Sequence, residues 1–120
     1  MARSSRSTST AGDDSSLDAV FPALANPARR RLLQLLLQGP QSVNSLAEHF
    51  DMARPSVSEH LKVLLVSGLV TTRKVGRERL YSLDQAPMRE LSEWLHPYEA
   101  YWKERMQLLR AAVEEEEGQD

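Results

Sequence analysis

The nine residues Arg54-Pro-Ser-Val-Ser-Glu-His-Leu-Lys62 place cations at both ends and small hydroxyls between them. Grouped on one helix, such side chains suit an anionic partner that also offers hydrogen-bonding edges. Arg54 can give two parallel N–H donors to a guanine edge or reach a phosphate, and Glu59 can accept from a cytosine amino group. Ser56 and Ser58 are short enough for close approach behind Pro55. Lys62, one turn on, suits a phosphate backbone. A second group, Arg73, Lys74, Arg77 and Arg79, follows within a few residues. Each has a plainer reading. Ser56 and Glu59 have the spacing of a helix cap, Glu59 and Lys62 could simply be solvated, and His60 beside an apolar stripe reads as a half-buried ring with a hydrogen bond.

The charge balance localises this chemistry. The net charge is −2. Residues 1–84 hold 11 Lys/Arg against 8 Asp/Glu, and residues 85–120 hold 4 against 9. Within 54–82 there are six cations and two carboxylates. A polyanion feels that local excess and not the total. There is no cysteine, which excludes disulfides, thiolate metal sites and a cysteine nucleophile. No apolar run approaches the roughly 20 residues that span a bilayer, and no apolar signal core opens the chain, so the expected location is the cytoplasm. No phosphate-cradling glycine loop or nucleophile–base spacing points to an enzyme.

The elements that must position these groups follow from periodicity. Residues 1–15, rich in Ser and Thr, have no apolar period and read as a disordered tail. Leu17, Val20, Phe21 and Leu24 suit one face of a short helix. Asn26-Pro27 then supplies a cap and a first-turn proline for a second helix over 27–38. Arg29, Arg30 and Arg31 crowd the positive end of that helix, so carboxylates from elsewhere in the chain are expected to compensate them. Ser42 caps a third helix over 43–50. Val57, Leu61, Leu64 and Leu65 give a fourth, Arg54 to Ser67, a single buried stripe ending at Gly68. Two short helices joined by a tight turn form a helix-turn-helix.

An alternating segment comes next. With Gly76-Arg77 as a two-residue turn, Lys74 faces Arg79, Arg73 faces Leu80, Thr72 faces Tyr81 and Val70 faces Leu83. Like charges directly opposite cost stability, so the Lys74/Arg79 pair makes sense beneath an external anion. The last helix is expected over 85–113, kinked or split near Pro97, with an acidic frayed tail over 114–120. Five of the seven aromatics lie beyond residue 80, more than so small a domain can cover alone. A second copy can cover them.

The stretches "ALANPARRRLLQLL", "SVNSLAEHFDMARPSVSEHLKVLLVSGLV" and "VGRERLYSLD" resemble the ArsR-type winged-helix transcriptional regulators of bacteria, over about residues 17–84. "EWLHPYEAYWKERMQLL" is similar to a subgroup whose last helix also carries a proline. The resemblance implies a homodimer bridged by the first and last helices, and usually repression. Two departures matter. Ser42 and Asn44 stand where many members have a metal-sensing Cys-x-Cys. Ala53 stands where a capping serine is common. Of the Asp/His sets that other members use on the last helix, only His96 and Glu99 suggest half, so no metal and no cofactor are expected.

The reading is therefore mainly α: a winged helix-turn-helix over 16–84 with a two-stranded β-hairpin wing, and a long C-terminal dimerisation helix. It is expected to bind double-stranded DNA as a sequence-specific homodimeric repressor on a pseudo-palindrome. Arg54, Pro55, Ser56, Ser58, Glu59, Lys62, Arg73, Lys74, Arg77 and Arg79 would carry the DNA contacts. Leu17, Phe21, Leu91, Leu95, Tyr98, Trp102 and Leu109 would carry the dimer interface. Release of DNA would need a small-molecule effector, a protein effector, or neither. The alternative is a winged helix that binds another protein in place of DNA.

Overall fold

The computed structural model describes residues 17–118; the expected N-terminal tail and the last two residues lie outside them. The described chain divides into two units, one ending at Arg89 and the other beginning at Glu90. Helix α1 occupies residues 17–24. It is followed by α2 (Pro27–Leu36), β1 (Gln41–Ser42), α3 (Val43–Ala47), α4 (Arg54–Val66), β2 (Val70–Val75), β3 (Glu78–Leu83) and α5 (Gln85–Gly118).

Local chemistry sets the start of each helix. The Asn26 side-chain oxygen accepts from the N–H groups of Ala28 at 2.8 Å and Arg29 at 3.2 Å. Pro27, in the first turn, has no N–H to leave unpaired. Ser42 Oγ accepts from Ser45 N–H at 3.2 Å. The Asp84 carboxylate accepts from Ala86 N–H at 3.0 Å and opens α5. Helix α4 begins differently: its N-cap, Ala53, makes no side-chain cap, and its first turn holds no carboxylate. Ser56 and Glu59 therefore do not form the cap that their spacing allows.

Among the described residues, carbonyls and not carboxylates meet Arg29 and Arg30 of α2. Arg29 Nε donates to the Ala23 carbonyl at 2.8 Å and its terminal nitrogen to the Pro22 carbonyl at 3.1 Å. Arg30 donates to the Leu24 carbonyl at 2.7 Å. These are last-turn carbonyls of α1, where a helix leaves acceptor capacity unused; Pro22 O also accepts from Ala25 N–H at 3.1 Å. The negative end of one helix thus offsets cations at the positive end of the next, where carboxylates were expected. Arg31 lies over the Phe50 ring, 6.0 Å from its centroid.

One apolar core joins Val20 and Ala23 of α1, Leu32 and Leu36 of α2, Leu46 of α3, Val57, Leu61 and Leu64 of α4, and Leu69 and Val70. Burying each such leucine contributes about 1.5–3 kcal/mol relative to leaving it in water. Helices α2 and α3 are shorter than the apolar pattern suggests, since their ends tighten into turns after Leu36 and Ala47. Helix α4 closes with Gly68 at φ +84°, a conformation that costs glycine little. Gly68 N–H donates to Leu65 O at 3.1 Å and Leu69 N–H to Leu64 O at 3.0 Å. This paired closure brings fully buried Leu69 under fully buried Leu64.

The hairpin register is the expected one: Lys74 faces Arg79, Arg73 faces Leu80, Thr72 faces Tyr81 and Val70 faces Leu83. Gly76 has φ +63° and no non-glycine residue has positive φ among those described. That combination is a type II′ turn, whose twist matches the strands it joins. The wing also carries a third strand. Residues Gln41 and Ser42 pair with Tyr81 and Leu80, giving the antiparallel order β1-β3-β2.

Helix α5 passes through Pro97 without a break and runs to Gly118, beyond its expected end at Val113. Glu114–Glu117 are helical where fraying was expected. Glutamate is a good helix former, Arg110 lies one turn before Glu114, and the dipole penalty is only about 0.3–1 kcal/mol per exposed charge.

Candidate nucleic-acid interface

The first turns of α3 and α4 and the end of the wing surround a cleft of about 290 Å³. Helix α4 contributes Arg54 and Ser58, and the wing contributes Arg77, Glu78, Arg79 and Tyr81. Ser42, Val43 and Asn44 close the third side. Three guanidinium groups against one carboxylate leave the cleft with a formal charge of +2 from these groups. The uncapped, carboxylate-free start of α4 opens beside it, where its own N–H groups favour an anion. The arrangement can hold phosphate by charge and hydrogen bonds while Ser58 and Asn44 offer short polar groups to a base edge or a sugar.

The structure brings together Arg54, Ser58, Arg77 and Arg79 of the residues expected to contact DNA. Pro55 and Ser56 are exposed on the first turn of α4, outside this cleft. Glu59 and Lys62 line a different concavity, shared with α1. Lys74 stands directly across the ladder from Arg79 and hence on its face of the hairpin. Arg73 pairs with Leu80, so strand alternation puts it on the opposite face. All four wing cations are exposed.

Asn44, Ser42 and Tyr81 were not among the expected contacts. Ser42 was legible only as a cap, a role it fills. Its place in the cleft depends on β1 pairing with β3, which no local pattern announces. His60 is half-buried, with Nδ1 3.4 Å from an Arg29 terminal nitrogen. A guanidinium has only donors, so Nδ1 accepts. Among the described residues no group of three or more His, Asp or Glu could hold a metal ion, and no helix is long and apolar enough to cross a membrane.

The residues expected at a dimer interface differ in exposure. Tyr98, Trp102 and Leu109 are 57%, 64% and 58% exposed. Phe21 is exposed on α1, and Leu91 and Leu95 are half-buried. Leu17 is buried within the chain itself and offers a partner little surface. Along α5, Trp94 and Tyr98 pack with ring centroids 4.9 Å apart. Arg105 covers the Tyr101 ring at 4.7 Å.

Residues 26–72 match the profile of bacterial regulatory proteins, arsR family. The chain is 32% identical over 79 residues to the transcriptional repressor SdpR of Bacillus subtilis, covering 66% of this chain and 88% of that protein. Among solved structures, an ArsR-like transcriptional regulator from Rhodococcus sp. RHA1 superposes with a TM-score of 0.66 at 32% identity. The match covers 82% of this chain and 93% of that one. The homodimeric winged helix-turn-helix DNA-binding domain of Mb0332 from Mycobacterium bovis superposes with a TM-score of 0.61 at 28% identity. That match covers 74% of this chain and 83% of the Mb0332 fragment.

Proposed function

The chain belongs to the arsR family of bacterial regulatory proteins, and from that premise we propose how it regulates transcription: as a homodimeric repressor that grips a pseudo-palindromic DNA operator with two copies of the α4–wing cleft. The observation that carries this reading is the convergence of Arg54, Ser58, Arg77 and Arg79 on one cleft from two separate elements. Arg54 and Ser58 enter the major groove with the first turn of α4, flanked by Pro55 and Ser56. Arg77 and Arg79 hold the backbone beside it, with Lys74 on the same wing face. Glu59, Lys62 and Arg73 lie further out and contact the duplex at its margins.

Dimerisation supplies the second cleft. The aromatic face of α5 at Tyr98, Trp102 and Leu109, with Leu91 and Leu95, is one surface for the second copy, and Phe21 on α1 is another. Leaving so many large apolar groups in water forfeits free energy that pairing recovers. A two-fold dimer then meets half-sites about 10 bp apart. The cytoplasm is the compartment in which this reading operates.

The test is selection of bound sites from random duplex DNA, followed by affinity measurement across salt concentrations. If the dimer neutralises roughly 8 phosphates, log Kd should change with log salt with a slope near 7 in magnitude. Charge reversal of Arg77 and Arg79 should release DNA. A flat salt response, or retained binding after that reversal, would overturn the assignment.

A further inference from the structure

Glu59 and Lys62 line a concavity of about 480 Å³ between α1 and α4. Its wall is apolar: Ala19 and Pro22 from α1 face Val63 and Val66 from α4. Val66 is 80% exposed and Val63 38%. Two valines one turn apart on an exposed helix surface gain nothing from helix propensity and leave apolar area in water. Ala19 and Phe21 are two residues apart on α1, so they project to nearly opposite sides of it. Phe21 therefore projects away from this groove.

Polar groups meet the apolar wall at one place. Arg29 and Lys62 are cations at the groove and Glu59 is its carboxylate, for a net formal charge of +1 from these groups. Arg29 spends one N–H on Ala23 O, one on Pro22 O and one on His60 Nδ1. Two of its five N–H donors have no partner among the described residues. Its contact with His60, at 3.4 Å, is the longest of the three and the easiest to exchange.

We propose that this groove binds a small monocarboxylate carrying an apolar chain, and that its occupancy weakens DNA binding. The volume falls within the range of about 300–1,000 Å³ typical of small-ligand sites, with apolar lining and few convergent polar groups. The net positive charge favours an anion over a neutral or cationic ligand. The chain covers Val63 and Val66, and the carboxylate takes the free donors of Arg29 and Lys62. That draws on the guanidinium that ties α1 to His60 of α4, and it engages Lys62. The regulatory half rests on the reading of α4 as the DNA-contacting helix; the binding half does not.

The test uses the full chain with isotope-labelled valine methyls, titrated without DNA against octanoate, 1-octanol and octylammonium. Octanoate should shift the Val63 and Val66 methyls saturably, with Kd at or below about 1 mM, and 1-octanol should bind about tenfold more weakly or worse. Val66→Glu, at an exposed position, should fold normally and lose the octanoate response. Equal binding of the alcohol, an unchanged response in Val66→Glu, or methyl shifts that track protein concentration alone would each overturn the site. The last result would assign the groove to a second copy. On the selected operator, saturating octanoate should lower affinity about fivefold or more in the natural sequence and leave Val66→Glu unaffected. Octanoate binding with unchanged DNA affinity would overturn the regulatory half. Failure to bind any DNA without octanoate would instead sink the proposed function, while the methyl titration still decides the site.

Discussion

The winged region before Arg89 and the stretch of α5 beyond it solve opposite problems. In the first, leucines and valines from four helices and β2 close over one another, and several are completely buried. In the second, no side chain among the described residues is fully buried, and Tyr98, Tyr101, Trp102, Leu108 and Leu109 are all more than half exposed. Both segments are rich in apolar residues. The difference lies in where their partners come from: the winged region finds them in its own sequence, whereas the exposed face of α5 is the one proposed for a second copy. On that proposal, packing sets the stability of the one and protein concentration that of the other.

The sharpest break of that contrast is Leu61→Ala. Leu61 is fully buried in α4, and the cavity should cost about 2–5 kcal/mol of unfolding free energy by denaturant titration. Paired Tyr98→Asp and Trp102→Asp substitutions should raise the dimer dissociation constant about 100-fold in sedimentation equilibrium, equivalent to about 2.7 kcal/mol. The winged region should keep its fold in that variant, as amide exchange at Leu61 and Leu64 would report. Loss of protection there would show that the two regions are not separable. Arg79→Ala should weaken operator binding about tenfold and flatten the salt dependence by about one phosphate per protomer; Arg73→Ala, on the other face of the wing, should do less. Equal effects would remove the privilege given to the cleft. The smallest expected change is Asn26→Ala, about 1 kcal/mol from losing two side-chain hydrogen bonds to the start of α2. It should leave the dimer constant alone.

How much of this was legible depends on the range of the interaction. The Asn26 and Ser42 caps and the hairpin register are written in neighbouring residues, because cap chemistry and strand alternation act within a few positions. The Arg29 partners were not. A guanidinium records its charge in the sequence, but not that the end of α1 will arrive within 3 Å of it. Strand β1 is two residues long and shows no alternation, so its pairing with β3 is a tertiary fact. Four of the ten residues expected on DNA meet in the cleft because helix period and strand period happen to aim them together. Arg73 could have been separated from Arg79 by counting strand positions. Glu59 and Lys62 could not have been separated from Ser58 without knowing where α1 lies.

Only Ser67, Gly68 and Leu69 separate the end of α4 from the start of β2, and Leu64, Leu69 and Val70 are locked into one core on either side of that corner. Helix and wing are therefore two arms of a caliper whose jaw is set when the protein folds. Such a tool does not adjust to what it measures. A duplex whose groove is too wide or too narrow must deform to be held, so operators should be sorted partly by their stiffness at base pairs that no side chain touches.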